Sequence, residues 1–191
     1  MSKKRIIVGI SGASGIIYGV RLLEVLNKLD EVETHLVISD TAEKKIIPFE
    51  LPDYDIEKVK NLADYNYSIN DLSAKISSGS FITEGMIIAP CSIKTLSGIA
   101  NSFNVNLLIR SADVCLKERR KLVLIVRETP LSLSHLELMV KVTQNGAVIL
   151  PPIPSFYHKP KTIDDIINHT IGKALDQFRI EHNLFKRWGE N

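Results

Sequence analysis

The sequence predicts an α/β fold, a Rossmann-like parallel sheet with helices on both faces, and three observations carry that reading. Short apolar, β-branched runs alternate with segments of helical period along the whole chain. Two of the runs, residues 85–90 and 121–126, are apolar throughout but for Lys121 at the start of the second, as strands covered on both faces are. The first run, Arg5-Ile6-Ile7-Val8, empties into the small residues Gly9-Ile10-Ser11-Gly12-Ala13-Ser14-Gly15, and an apolar helical pattern leaves from there.

Taken in order, that first strand, tight turn and helix (from Ile16) form a βα unit. Glycines at 9, 12 and 15, with Ser11 between the first two, break the dinucleotide pattern G-x-G-x-x-G. The turn is read as a phosphate cradle at a helix N-terminus, with Ser11 and Ser14 as hydroxyl donors; a tight turn shaped by packing is the alternative. Residues 32–38 form the second strand, ending at Ser39-Asp40, and 41–49 a short helix with Pro48 near its end. Residues 51–67 are polar and aromatic and are expected to be irregular, and Ser77-Ser78-Gly79-Ser80 signals a loop. The third strand, 85–90, leads into Cys91-Ser92-Ile93-Lys94-Thr95 and a helix to about Ala100. A helix over 104–117 precedes the fourth strand, 121–126, which ends at Arg127-Glu128-Thr129-Pro130. Residues 134–144 are helical with Gly146 as stop, 147–150 are a short fifth strand, and Pro151-Pro152-Ile153-Pro154 forces an extended loop. A closing helix covers 164–180. Strand ends of such a sheet bind ligands, and here they carry Ser11 to Ser14, Ser39, Ser92 to Thr95, Arg127 and Glu128.

Length and composition fit one domain over residues 1–191, and with 45% hydrophobic and 24% charged residues the chain reads as globular. No apolar run approaches a membrane span, the basic Met1-Ser2-Lys3-Lys4-Arg5 start runs straight into a strand without a signal-peptide cleavage site, and a net charge of +2 is too small to argue for nucleic acid. The two cysteines, Cys91 and Cys115, and the five scattered histidines show no metal-ligand spacing, so no metal and a cytoplasmic location are expected. Cys91 reads as a small buried residue, and His135 and His158 as structural. Lys117-Glu118-Arg119-Arg120, taken alone, could be a solvated helix end, and Tyr157 and Trp188 could be packing residues.

Beyond these readings, Gly9 to Gly15, Ala89-Pro90-Cys91-Ser92-Ile93-Lys94-Thr95-Leu96, Ala112-Asp113-Val114-Cys115-Leu116-Lys117-Glu118-Arg119-Arg120, Val126-Arg127-Glu128-Thr129-Pro130-Leu131, Gly146 to Pro152, Phe156-Tyr157-His158 and Arg187-Trp188-Gly189-Glu190 stand in the order seen in one family. Over nearly its whole length the chain resembles the UbiX-type flavin prenyltransferases, formerly described as aromatic-acid or polyprenyl-hydroxybenzoate decarboxylases. The resemblance implies the Rossmann-like fold shared with the homo-oligomeric flavin-containing cysteine decarboxylases. It implies transfer of a dimethylallyl group from dimethylallyl phosphate to N5 and C6 of reduced FMN, without a metal. The product would be handed to a UbiD-type decarboxylase of quinone synthesis or aromatic-acid breakdown. A large, dodecamer-like homo-oligomer with sites between subunits is implied too, and neither a nucleic acid nor a membrane as partner.

Residue by residue, the resemblance puts FMN at Gly12, Ala13, Ser14, Ser39, Ser92, Ile93, Lys94, Thr95 and Arg127, and dimethylallyl phosphate at Arg110, Lys117, Tyr157, Lys173 and Trp188. It implies Ser14, Glu50, Lys117 and Glu128 in the chemistry. Those residue types suit the reaction. A departing phosphate needs fixed cations and a phenol donor, the allylic cation an electron-rich dry pocket, and ring closure a base, supplied by a carboxylate or the released phosphate. Lys173 departs from the arginine of relatives, keeping the charge without the planar fork. The rivals are an FMN-dependent cysteine decarboxylase, which would show a catalytic histidine in the early helical region, and an FMN carrier without chemistry.

Overall fold

The computed structural model describes residues 3–189, so Glu190 of the C-terminal motif lies outside the described residues. The elements run β1 (Lys4–Ile10), α1 (Ile16–Leu26), β2 (Val32–Ile38), a π-helical turn (Ala42–Ile46) continued by α2 (Ile47–Glu50), α3 (Ile56–Lys60), β3 (Tyr65–Tyr67), β4 (Gly85–Cys91), α4 (Ile93–Ala100), α5 (Leu107–Lys117), β5 (Lys121–Val126), α6 (Leu133–Gln144), β6 (Val148–Ile149) and α7 (Ile163–Asp176). The strands form one all-parallel sheet in the order β3-β2-β1-β4-β5-β6. Alternation along β1 sends Ile6, Val8 and Ile10 to the layer under α1 and α7, and Ile7 to the layer under α4, α5 and α6. With both faces covered, the central strands have no polar face to show.

Three expectations are corrected. The sheet has a sixth strand, Tyr65–Tyr67, within the segment expected to be irregular, and α3 precedes it. Three residues are too few for a period, and β3 is held by tertiary contacts. His35 of β2 stacks on Tyr65 with centroids 5.0 Å apart and bonds Tyr67 Oη at 2.9 Å. The closing helix stops at Asp176 rather than 180, because Arg179 takes a left-handed φ of 53° and Ile180 N donates back to Leu175 O, which folds the chain over the helix end. Arg119 (φ 57°) ends α5 in the same way, with Arg120 N bonded to Cys115 O. The charge run there is partly structural, since the Arg120 guanidinium donates to Phe81 O at 2.8 Å and to Gly79 O. The first prolyl peptide of the Ala89-Pro90 motif is cis. His135 has a structural place as expected, closing a capping box with Ser132 on α6.

Candidate functional site

The strand order reverses between β1 and β4, so the chain leaves these neighbours toward opposite faces and a crevice opens beyond their carboxyl ends. Ser11 ties the two loops at the floor of that crevice. Its hydroxyl donates to Pro90 O at 2.9 Å and accepts from Ser92 N at 2.8 Å. Ser11 is buried, so it is a strut between the loops and not the ligand donor read from the sequence. Ser14, three residues on, is exposed at the turn. Gly12 lets Thr41 approach, since a Cβ there would lie 2.7 Å from the Thr41 side chain. Gly15 takes a φ of 90°, which favours glycine.

The phosphate-cradle reading of this turn is corrected by what sits on it. Helix α1 has no side-chain cap of its own; instead Gly15 N and Ile16 N donate to Glu50 Oε2 at 2.8 and 3.1 Å. The anion at this helix N-terminus is therefore a carboxylate of the chain itself, brought from the end of α2. Glu50 Oε1 makes no hydrogen bond among the described residues. No feature of local sequence announces this cap, because donor and acceptor are 35 residues apart.

On the β4–β5 side, Ser92 caps α4, its Oγ accepting from Thr95 N at 3.3 Å and donating to Thr95 Oγ1 at 3.1 Å. The first-turn amides of α4, those of Ile93 and Lys94 among them, face out of the helix end as anion donors, and Lys94 is exposed beside them. Arg127 N is anchored to Cys91 O at 3.1 Å, while the Arg127 Nε is buried without a hydrogen-bond partner. Ser39, at the end of β2, accepts from Ala42 N at 3.3 Å, which leaves its hydroxyl hydrogen available. Glu128 is exposed and accepts from Thr129 N at 3.0 Å. Gly12, Ala13, Ser14, Ser39, Ser92 to Thr95, Glu50, Arg127 and Glu128 thus share the carboxyl edge of the sheet. Cys91 and Cys115 are buried, and burial pushes both thiols up, Cys115 to about 12, so neither offers a thiolate.

Lys117 does not join that edge within one protomer. Lys117 ends α5, pairs with Glu118, and lies where β5 begins, at the amino edge of the sheet; β5 is six residues long, and at about 3.3 Å per residue that puts roughly 20 Å between the two edges. Arg110, lower on α5, is held by Ser77 O and Asp113, both at 3.1 Å. Tyr157, Lys173 and Trp188 form a second group on α7 and the segments around it. Trp188, exposed, meets the edge of Tyr157 at 5.6 Å, Tyr157 Oη bonds His169 Nε2 at 3.1 Å, and Lys173 sits one turn beyond His169 with Asp176 at 3.6 Å. His169 had no role in the sequence reading, since a histidine on an apolar helix face has no local signal.

The sequence profile of the Flavoprotein family matches residues 1–175. The flavin prenyltransferase UbiX of Thauera aromatica is 63% identical over 187 residues, covering 98% of this chain and 95% of that protein. Among solved structures, AnUbiX (PadA1) in complex with FMN and dimethylallyl pyrophosphate superposes with a TM-score of 0.94 at 49% identity, covering 98% of each chain. A dodecameric FMN-dependent UbiX-like decarboxylase of Escherichia coli O157:H7 gives a TM-score of 0.93 at 48% identity, covering 96% of this chain and 98% of that one.

Proposed function

This chain belongs to the flavoprotein family, among its UbiX-type flavin prenyltransferases, and from that premise we propose that it joins a dimethylallyl group from dimethylallyl phosphate to N5 and C6 of reduced FMN. The observation that carries FMN at this edge is Arg127, whose buried Nε lacks a partner. A guanidinium in that condition fits an anionic or carbonyl oxygen of a ligand. The outward amides of α4, the Ser39 hydroxyl and the close-packed Gly12–Ala13–Ser14 backbone complete the proposed flavin contacts. The bound reduced flavin supplies the nucleophilic positions to which the allyl group is attached.

The chain's own residues do the rest. Lys117, Arg110, Lys173 and Tyr157 offer charge and a phenol donor to the departing phosphate. Because Lys117 stands at the opposite sheet edge from Arg127, it acts on a site shared with another copy of the chain. Trp188 supplies an electron-rich wall for the allylic cation. Glu50, with one carboxylate oxygen on α1 and the other unbonded, is placed to take the proton lost on ring closure, with Ser14 beside it and Glu128 as a second carboxylate at the edge. The product would pass to a UbiD-type decarboxylase in the cytoplasm; among the described residues no helix is long and apolar enough to cross a membrane. A cysteine-decarboxylase reading would ask for a histidine in the early helical region, and α1 carries none.

The test is an anaerobic incubation of the protein with reduced FMN and either dimethylallyl phosphate or dimethylallyl pyrophosphate, followed by mass analysis of the extracted flavin. Prenylated FMN from the monophosphate is expected. Prenylation from the pyrophosphate alone would overturn the monophosphate, and unmodified flavin from both would overturn the transferase.

A further inference from the structure

The aromatic group on α7 contains a histidine pair that the proposed chemistry leaves unexplained. His158 and His169 stack face to face, with centroids 4.7 Å apart and planes within 4°. Phe185 closes one side of His169 at 4.6 Å, and Tyr157 meets its edge at 5.5 Å. Both ring nitrogens of His158 are buried without partners among the described residues, so this ring acts as a flat wall. His169 is buried as well, and its Nε2 reaches out of the stack to Tyr157 Oη at 3.1 Å. Burial first, and then His158 and Lys173, push His169 below the ordinary histidine range, with Asp176 opposing. The ring is therefore neutral near pH 7, and one nitrogen donates while the other accepts.

We infer that His169 is a positioning residue for Tyr157: its Nε2–H donates to the phenol oxygen, so that the phenol hydrogen is turned outward to an anionic oxygen. The ring geometry accommodates either tautomer, and the phosphate reading selects this one. A Tyr157 hydroxyl that donated inward to His169 would present only lone pairs to an approaching phosphate, which repels them. The stack between His158 and Phe185 fixes the imidazole plane, so the Nε2 direction is set before any ligand arrives. Lys173 follows His169 by four residues on the same helix face, so one stretch of α7 orients the phenol and supplies the cation. The inference rests on the reading of Tyr157 as a phosphate donor, and it extends that reading to a residue outside the site.

Steady-state kinetics of Tyr157→Phe, His169→Leu, His169→Gln and the Tyr157→Phe/His169→Leu double variant, with FMN affinity measured in parallel, form the test. His169→Leu should raise KM for dimethylallyl phosphate about 3- to 10-fold, the range of one neutral hydrogen bond. FMN affinity should not change. His169→Gln, which retains an N–H near the Nε2 position, should recover most of the loss, and His169→Leu should add nothing in the Tyr157→Phe background. If Tyr157→Phe lowers kcat/KM and His169→Leu does not, the inference is overturned while the phosphate reading stands. If Tyr157→Phe itself has no effect, the phosphate reading fails first. If His169→Leu acts equally with and without Tyr157, or Gln fails to rescue a variant that folds normally by circular dichroism, His169 is structural only.

Discussion

At the scale of single residues, the site separates into side chains already committed within the fold and side chains left open. Ser11 and Arg120 are committed, the first to Pro90 and Ser92 and the second to Phe81 and Gly79. Arg127 Nε is open. Arg127→Ala should therefore weaken FMN binding by about 10-fold or more, the worth of a charge-assisted bond, with little change in melting temperature; fluorescence titration of FMN checks this, and equal affinity of wild type and variant would contradict it. Lys173 is half exposed, and its contact with Asp176 is long at 3.6 Å. Removing it should spare the fold and FMN binding but lower kcat/KM for dimethylallyl phosphate by about 10- to 150-fold, equivalent to about 1.5–3 kcal/mol. Lys173→Arg should match or exceed wild type, because the planar fork binds phosphate in two places.

At the scale of elements, two helix ends carry side chains from elsewhere in the chain. Glu50 caps α1 with two amide bonds, so it has a structural role beside its proposed chemical one. Glu50→Gln keeps a neutral acceptor in place and should cost about 1 kcal/mol of stability. In a single turnover it should release phosphate from dimethylallyl phosphate while the doubly bonded product forms slowly. Ring closure at the wild-type rate would pass the role of base to the released phosphate. At the other end of the fold, Asp176 of α7 bonds Arg187 at 2.7 and 3.0 Å and His182 at 3.1 Å, tying the C-terminal segment to the helix. The Arg187 hydrogen bond, with its charge and that of His182, holds this carboxyl below the usual aspartate range. A depressed folded value contributes stability above the unfolded value of about 3.9, which is lost as the pH falls through the folded value. Asp176→Asn should thus melt lower than wild type at about pH 7, and the two curves should converge as the pH falls below the folded value of the carboxyl.

At the scale of the whole molecule, Lys117 lies apart from Arg127 in one protomer, and exposed apolar surface is available for a second copy. Leu133, Leu136 and Val140 form an exposed stripe along α6, and Ile153, Phe156 and Trp188 are exposed around the second group. Apolar surface of this extent suits subunit contacts, which fits a homo-oligomer like the dodecameric relative. Complementation tests the shared site. Lys117→Ala and Arg127→Ala subunits, each impaired alone at limiting FMN, should regain part of the prenylation activity when refolded together into mixed oligomers, because some sites then draw Arg127 from one subunit and Lys117 from another. Mixed oligomers as impaired as their parents would place all the needed residues in one chain.

The sequence by itself determined the central architecture and the edge where chemistry sits. Short apolar runs such as 85–90 and 122–126, bounded by turn signals and alternating with helical patterns, read as strands buried on both faces of a parallel sheet. Strand ends then collect Ser39, Ser92 to Thr95, Arg127 and Glu128 as a matter of chain order. Tertiary structure alone decided the rest, because each remaining feature joins residues far apart in the chain. Tyr65–Tyr67 became a strand through His35, the cap of α1 came from Glu50, and Ser11 turned from ligand donor to strut because Pro90 and Ser92 were brought against it. The separation of Lys117 from Arg127, and the contact of His169 with Tyr157, follow from helix direction and packing angle. Local periodicity reports which face of an element is buried, but it carries no information about which distant side chain is packed against it.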